Sequence, residues 1–225
     1  GASTGFADFY SRHPGELADI AVARGTLPDR AELLQALAES VGLPSGFEVD
    51  AFAADGSEDA WVALRIAYRR MLARIAVYDL LAADPVDAAG AALEASLAVA
   101  RTRISTAGLA PGGLFPRQDV AGTDLAIIGM GKAGAGELNY VSDVDVIFVG
   151  GANDETLERV GSSRVIDIAT KRAMQTMRGI SEFEIEPPLW EVDANLRPEG
   201  KQGALVRTLD SHLSYYDRWA KSWEF

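Results

Sequence analysis

Cysteine is absent from this 225-residue sequence, and histidine occurs only twice, as His13 and His212. Without cysteine, the chain has no thiol nucleophile, no disulfide bond and no Cys-ligated zinc or iron–sulfur site. The two histidines are too few and too far apart in the sequence for a typical zinc-enzyme ligand set. Any catalysis must therefore rest on carboxylates, hydroxyls, lysine and arginine side chains, or backbone groups.

Long apolar runs and an excess of basic charge are also missing. No apolar segment reaches the length needed to cross a bilayer, and the N-terminus lacks the basic-then-apolar pattern of a signal peptide. The 33 Asp and Glu residues outnumber the 21 Lys and Arg residues, so the formal net charge is −12. Because a negative field repels nucleic-acid phosphates, we expect no nucleic acid as a partner. Since long apolar runs are missing, we also expect a soluble, cytoplasmic protein with no membrane as its partner.

The first hundred residues predict helices, because alanine and leucine dominate and apolar residues recur at helical spacing. One helix is predicted over residues 33–41 and is ended by Gly42 and Pro44. Two longer helices are predicted over about 59–82 and 86–104. The helix over 59–82 carries an apolar stripe, with its arginines largely on other faces. The stripe is Trp61, Leu64, Tyr68, Leu72, Ile75 and Leu80, and the arginines are Arg65, Arg69, Arg70 and Arg74.

The second half of the chain changes to a pattern of alternating strands and helices. Strands are predicted over 124–130, 143–149 and 189–196, a helix over 155–177, and a further helix from residue 209. We therefore divide the chain into a helical region (1–104), a Gly/Pro-rich linker loop (105–123), an α/β core (124–209) and the start of a C-terminal helical region (210–225). The last region stops in mid-pattern, so we expect it to be truncated.

A glycine cluster follows the first predicted strand and has three possible interpretations. It fails as a phosphate-binding P-loop, because Ala133 follows Gly131-Lys132 where that motif needs Ser or Thr. It satisfies G-x-G-x-x-G, but the eight residues between Gly134 and Asp143 leave little room for a crossover helix. The third interpretation is a tight turn that brings backbone N–H groups and Lys132 against a nucleotide phosphate. Taken alone, a turn that only packs a strand against a helix is the simplest interpretation.

Paired carboxylates after this turn favour a metal site. Asp143 and Asp145 are two residues apart on a predicted strand, so both side chains point to one face, about 6.6 Å apart along the backbone. Asp193 lies on the polar face of the next predicted strand and can approach them if the two strands are neighbours. Three such carboxylates would offer hard oxygen ligands to Mg²⁺ or Mn²⁺. An isolated D-x-D pair is more often a solvated strand end, but the glycine turn and the third acid favour the metal.

Three stretches and one helix then carry a resemblance to a known family. They are GMGKAGAGELNYVSDVDVIF at 129–148, EVDANLRPEGKQGALV at 191–206, YYDRWAKSWEF at 215–225 and the arginine-rich helix LRIAYRRMLARIAVYDL at 64–80. Together they resemble the glutamine synthetase adenylyltransferase/deadenylase family, within the polymerase-β-like nucleotidyltransferase superfamily. The resemblance implies an α+β fold, in which an N-terminal helical region precedes a nucleotidyltransferase core with a small mixed sheet flanked by helices.

The resemblance also implies roles for individual residues. Asp143, Asp145 and Asp193 match the acids that bind metal and carry catalysis, with Asp193 as base or metal-bridging group. The residues expected to bind nucleotide phosphate are Gly131, Lys132, Ser142 and Arg197, although Ser142 is as well explained as a strand cap and Arg197 as a surface ion pair. We interpret His13, His212, Trp219 and Trp223 as core or interface residues of helices.

Family members carry two nucleotidyltransferase copies in one long chain, and this sequence contains one. Gly-Glu-Leu-Asn at 136–139 resembles the deadenylase copy, which removes AMP from a glutamine synthetase tyrosine by phosphorolysis and releases ADP. The expected ligands are therefore Mg²⁺ or Mn²⁺, the nucleotides ADP, AMP or ATP, and inorganic phosphate. Glutamine synthetase, a PII-type signal protein and a second nucleotidyltransferase half are the expected partners. The alternatives are the adenylyl-adding copy, a non-catalytic docking module, and an enzyme that adenylylates a small molecule.

Overall fold

The computed structural model describes residues 4–18, 28–48, 50–79, 88–105, 115–135, 138, 142–182 and 185–220. Helices α1 to α4 are Thr4–Arg12, Arg30–Ser40, Glu58–Asp79 and Ala88–Ser105. They are followed by α5 (Arg117–Ala121), β1 (Thr123–Gly129), α6 (Gly131–Ala135), β2 (Val144–Ala152), α7 (Asp154–Val160) and α8 (Ser162–Ser181). The last elements are β3 (Val192–Asp193), β4 (Val206–Arg207) and α9 (Leu209–Arg218). This α+β architecture confirms the predicted fold class.

The helices of the first region follow their local sequence signals closely. Helix α2 begins after Asp29, whose side chain accepts a hydrogen bond from the Glu32 N–H while the Glu32 side chain accepts one from the Asp29 N–H. Such a capping box satisfies two N–H groups that have no partner within the helix. The helix ends at Ser40, and Gly42 follows with a φ of 76°, a backbone conformation that favours glycine. The predicted stop at Gly42 is therefore confirmed.

Strand β2 is the central strand of a four-stranded mixed sheet. It pairs antiparallel with β1 and parallel with both β3 and β4. The antiparallel β1–β2 pair excludes the βαβ unit of a dinucleotide-binding fold at the glycine cluster, because that unit needs parallel strands. The side chains of Val144, Val146 and Phe148 are buried, as the alternation in the sequence predicted.

Three predictions about element boundaries are wrong. The helix predicted over 155–177 is divided into α7 and α8 by Gly161, which has a φ of 80°. The strand predicted over 189–196 is only the two residues of β3, because the chain turns where the Asn195 N–H donates to the Asp193 side chain. The predicted linker contains helix α5, while residues 106–114 lie outside the described part of the chain.

One hydrophobic core joins the helices to the sheet. It includes Leu33, Trp61 and Val99 from the helices together with Val146 and Val206 from the strands. Helix α4 is buried nearly all round and packs against α2, α3 and α8. The helical region and the core that we predicted on either side of residues 105–123 therefore share one hydrophobic core.

One of the four arginines of α3 is placed differently from its prediction. The Arg65 side chain is fully buried instead of lying on another face of the helix. Its position four residues after Trp61 and three before Tyr68 puts it on the apolar face of α3, since residues at these spacings are neighbours on a helix. The charge of arginine favoured exposure, but the spacing in the sequence already indicated the buried face.

Helices α3 and α8 pack closely at Gly179. A Cβ atom built at this glycine would lie 2.6 Å from Cε2 of the Trp61 ring, and Trp61 itself is buried. Glycine normally weakens a helix interior by about 1 kcal/mol relative to alanine, so its presence in α8 has a packing reason. The small residue lets the indole ring lie directly against the α8 backbone.

We predict that Gly179→Ala lowers the free energy of unfolding by about 1–3 kcal/mol, because the added methyl group overpacks the core against Trp61. Gly151→Ala in β2 is the matched control, since a Cβ there meets nothing within 4 Å, and we expect a change within about 0.5 kcal/mol. Urea unfolding measures both values. A Gly179→Ala protein as stable as the parent would contradict the packing described for this position.

Candidate functional site

Two neighbouring strands bring the three predicted carboxylates together. Asp143 directly precedes β2, Asp145 is the second residue of β2, and Asp193 is the last residue of β3. Asp145 and Asp193 are direct partners in the parallel ladder. One carboxylate oxygen from each of the three aspartates lies within 4.8 Å of the others. The convergence expected from the sequence therefore occurs in the structure.

The three carboxylates of this cluster carry like charges that repel one another in the folded protein. Burial and, after it, the nearby Asp143 and Asp193 carboxylates raise the pKa of Asp145 above its ordinary value. Asp193 is held in place by the Asn195 N–H, which donates to its Oδ1 at 2.6 Å. Carboxylate oxygens are the ligands that Mg²⁺ and Mn²⁺ prefer, and a divalent cation would offset the repulsion. The donor set therefore fits the predicted metal.

The glycine cluster lies directly against this carboxylate cluster. The Met130 N–H donates to the Asp145 carbonyl at 2.9 Å, and the Gly134 N–H donates to the Met130 carbonyl at 3.0 Å. Gly131 has a φ of 51°, and a Cβ built there would lie 3.3 Å from Oδ2 of Asp145. Gly131 thus allows the turn to approach the carboxylate. At Gly134 a Cβ would lie 2.5 Å from the Gly129 carbonyl oxygen, so this position also needs a glycine.

The residues expected to bind phosphate are placed less uniformly. Lys132 is exposed on α6, immediately after Gly131. Ser142 Oγ lies 3.5 Å from Oδ1 of Asp143, so it is next to the carboxylates. The Arg197 guanidinium donates to the carbonyls of Ala194, Lys201 and Gly203. Arg197 therefore fixes its own loop in this structure, and its contact with a nucleotide stays a prediction.

A cavity lined by residues of β1 is separate from the carboxylates. It has a volume of about 660 Å³, and Gly129, Gly134 and Val144 contribute to its lining. None of the three aspartates is among the described residues that line it. Its charged groups of opposite sign already face one another, with Arg101 Nη1 lying 3.9 Å from Glu94 Oε1. We therefore assign the candidate site to the carboxylate cluster, where groups of like charge converge.

Both histidines and one of the two tryptophans that we interpreted as core or interface residues lie in the described part of the chain. His212 is buried, and burial lowers its pKa. His13 Nε2 lies 2.8 Å from the Glu186 carboxylate. Trp219 is 74% exposed, so it is not a core residue of the described part of the chain, and its interface role stays a prediction. Trp223 lies outside the described residues.

The sequence did not indicate which residues hold β3 in place. The Ser181 hydroxyl accepts a hydrogen bond from the Val192 N–H at 3.0 Å, and the Glu191 carbonyl accepts one from the Val144 N–H at 2.9 Å. Arg65 and Arg69 bind the chain that leads to β3 through its carbonyl groups. The only signal in the sequence was the apolar-face position of Arg65, because backbone carbonyl partners leave no residue-type pattern.

The fold and the site define the class of protein. A helical region and a small mixed sheet, with a glycine turn beside two carboxylates on adjacent strands and a third just before one of them, correspond to a nucleotidyltransferase-like core. No helix in the described part of the chain combines the length and the apolar composition needed to cross a membrane.

Known proteins place the chain within one family. Residues 16–225 match the family described as glutamate-ammonia ligase adenylyltransferase. The chain is 54% identical over 237 residues to the bifunctional glutamine synthetase adenylyltransferase/adenylyl-removing enzyme of Leifsonia xyli, a match that covers 100% of this chain and 22% of that protein. It is 43% identical over 235 residues to the enzyme of the same name from Streptomyces avermitilis, with 100% and 20% covered. The chain therefore belongs to the glutamate-ammonia ligase adenylyltransferase family, and it spans about a fifth of the length of these relatives.

The raised pKa of Asp145 has a consequence for stability. An acid whose pKa is higher in the folded than in the unfolded protein holds its proton more tightly when folded. Its ionised form therefore lowers the free energy of unfolding at pH values above the folded pKa, and the loss disappears as the pH falls through that pKa. Without metal, the ionised Asp145 carboxylate thus lowers the free energy of unfolding in this pH range.

We predict that Asp145→Asn melts at or above the temperature of the parent protein at neutral pH in EDTA, because the substitution removes this repulsion. Millimolar MgCl₂ should reverse the order. At about 100 times its Kd, a bound cation adds about 2.7 kcal/mol to the parent's stability, or roughly 5–10 °C, whereas Asp145→Asn should gain little. Differential scanning calorimetry measures the four melting temperatures. Equal stabilisation of both proteins by Mg²⁺ would contradict the assigned ligand set.

Proposed function

We propose that this chain is a metal-dependent nucleotidyltransferase domain that removes AMP from an adenylylated tyrosine of glutamine synthetase. The observation that carries the proposal is the convergence of three carboxylate oxygens within 4.8 Å beside the glycine turn. The printed name of its relatives includes both adenylyl transfer and adenylyl removal. Gly-Glu-Leu-Asn at 136–139, which resembles the deadenylase copy, favours removal.

The reaction moves the AMP phosphorus from the tyrosine oxygen, where it forms an ester, to a phosphate oxygen, where it forms an anhydride. An oxygen of inorganic phosphate attacks that phosphorus and forms the new P–O–P bond of ADP. The P–O bond to the tyrosine breaks, and the proton lost by the phosphate is balanced by the one that the tyrosine oxygen gains. Atoms and charge are thus conserved without an oxidant or another co-reactant.

The residues of the site have distinct parts in this exchange. Asp143, Asp145 and Asp193 would hold Mg²⁺ or Mn²⁺, which when bound neutralises negative charge that develops on the phosphoryl oxygens. Gly131 lets the turn approach Asp145, because a Cβ there would lie 3.3 Å from the Asp145 carboxylate. Lys132, which is exposed and directly follows Gly131, and Ser142, whose hydroxyl lies 3.5 Å from the Asp143 carboxylate, would bind the phosphate as a cation and a hydroxyl. The Asn195 N–H holds the Asp193 carboxylate toward the other two acids.

The adenylyl-adding reaction is the second candidate, because the relatives' printed name includes it. Both reactions transfer AMP between two oxygen atoms, so the same carboxylates serve either one. The difference lies in the second substrate, which is inorganic phosphate for removal and ATP for addition. The chain spans about a fifth of the length of its relatives. For the whole protein we therefore also propose a second nucleotidyltransferase half, a PII-type signal protein as partner and a cytoplasmic location.

We predict that the chain, incubated with adenylylated glutamine synthetase, inorganic phosphate and Mg²⁺, releases ADP, and that Asp143→Ala lowers the rate at least about 100-fold because charge neutralisation at phosphorus is lost. Chromatography of the released nucleotide measures the product. Asp167→Ala is the control, because Asp167 is an exposed aspartate in a surface pair with Arg164.

Omission of phosphate separates the two candidates. ADP release that requires phosphate supports removal, whereas AMP incorporation into unmodified glutamine synthetase from ATP, without phosphate, supports addition. Equal ADP release by the parent and Asp143→Ala would contradict the assignment of the site.

A further inference from the structure

The segment between α8 and β3 determines where Asp193 lies. We define it as the β3 connector, residues 182–191, of which 183 and 184 lie outside the described residues. Strand β3 is only two residues long, so its ladder with β2 supplies few hydrogen bonds. The carboxylates of Asp145 and Asp193 also repel each other across this ladder. Because a two-residue ladder with like charges is weak by itself, β3 needs support from outside the sheet.

Arg65 of α3 supplies part of that support from the helical region. Its Nε and Nη2 atoms donate to the Gly179 carbonyl at 3.0 and 2.9 Å. Nη2 also donates to the Glu182 carbonyl at 2.8 Å, and Nη1 donates to the Glu186 carbonyl at 2.7 Å. The last carbonyls of a helix have no partner within it, and a cation there also interacts favourably with the helix dipole. One buried guanidinium therefore joins the end of α8 to the connector.

Arg69, one turn further along α3, binds the next part of the connector. Its Nη2 atom donates to the carbonyls of Pro187 and Pro188 at 2.6 and 2.8 Å. Proline has no N–H group and cannot pair as a regular strand residue does, so these two carbonyls depend on partners outside a ladder. The Tyr68 and Trp190 rings, whose centroids are 5.0 Å apart, add an apolar contact between α3 and the connector.

The constraint continues from the connector to the carboxylate cluster. The Leu189 N–H donates to the Ile180 carbonyl at 2.9 Å, and the Val192 N–H donates to the Ser181 hydroxyl at 3.0 Å. The Glu191 carbonyl accepts a hydrogen bond from the Val144 N–H. Glu191 lies two residues before Asp193, and Val144 lies one residue before Asp145. A contiguous set of hydrogen bonds thus runs from α3 to the third acid.

We propose that Arg65 and Arg69 are positioning residues for the candidate metal site, which hold the β3 connector so that Asp193 stays beside Asp145. The inference rests on the proposed function only in taking the carboxylate cluster as a cation site. The arginine-rich helix would thus contribute to cation binding indirectly. Its arginines hold the connector, whereas the three aspartates would bind the cation.

The test is the affinity of the 225-residue chain for Mn²⁺, measured by electron paramagnetic resonance, together with thermal unfolding in EDTA. Arg65→Lys keeps the charge but cannot reach three carbonyls, and we expect its Mn²⁺ affinity to fall about tenfold or more, as for groups that orient metal ligands. Arg69→Lys is the second variant, because its half-buried position makes misfolding a smaller risk. We expect a smaller loss of affinity, about threefold to tenfold.

Ile75→Val is the control for a general loss of stability, since Ile75 is buried on the same helix and is absent from the bonds to the connector. We expect this variant to melt at a lower temperature with unchanged Mn²⁺ affinity. Parent-like Mn²⁺ affinity in both arginine variants would overturn the proposal. So would an equal loss of affinity in Ile75→Val, or a parent protein that binds no Mn²⁺. If the parent binds Mn²⁺, Arg65→Lys weakens the binding, and no ADP is released, the positioning role stands and the proposed reaction fails.

Discussion

The pairing of the two residues of β3 with the start of β2 is the contact on which the candidate site depends. It places Asp193 directly beside Asp145, and Asp143 one residue before β2. Burial and, after it, the repulsion among the site's carboxylates raise the pKa of Asp145, and a two-residue ladder supplies few hydrogen bonds to offset that repulsion. The surrounding structure has to supply the stability that the ladder lacks, and a bound cation would remove the repulsion itself.

That stability comes from opposite sides of the site. On one side the glycine turn bonds to the Asp145 backbone through the Met130 N–H. On the other side α8 and α3 hold the chain before β3, through Ser181 and the buried Arg65 guanidinium. The shared hydrophobic core makes this arrangement possible, because α3 and α8 pack together at Gly179 and Trp61. The helical region is thus part of the structure that shapes the site.

Much of the fold follows from local patterns. The alternation of Val144, Val146 and Phe148 with Asp145 predicted both the strand and the face of the carboxylate, because side chains of a strand alternate between its faces. The end of α2 was also predicted, because glycine readily adopts the positive φ found at Gly42. The division of α7 from α8 was missed although Gly161 marks it, because an isolated glycine is tolerated inside a helical pattern. The shortness of β3 was missed because its end depends on a single backbone bond to Asp193.

By itself the sequence determined the residue types of the site, the strand that carries Asp145 directly after Asp143, and the absence of any cysteine-based chemistry. These properties depend on composition and on contacts between near neighbours in the chain. Only the tertiary structure decided that Asp193 meets the other two acids, that Arg197 binds its own loop, and which carbonyls the buried Arg65 guanidinium binds. Each of these outcomes depends on groups distant in sequence or on backbone carbonyls, which every residue has. A pattern of residue types cannot show which carbonyl a buried guanidinium will bind, because that is decided by how the helices pack.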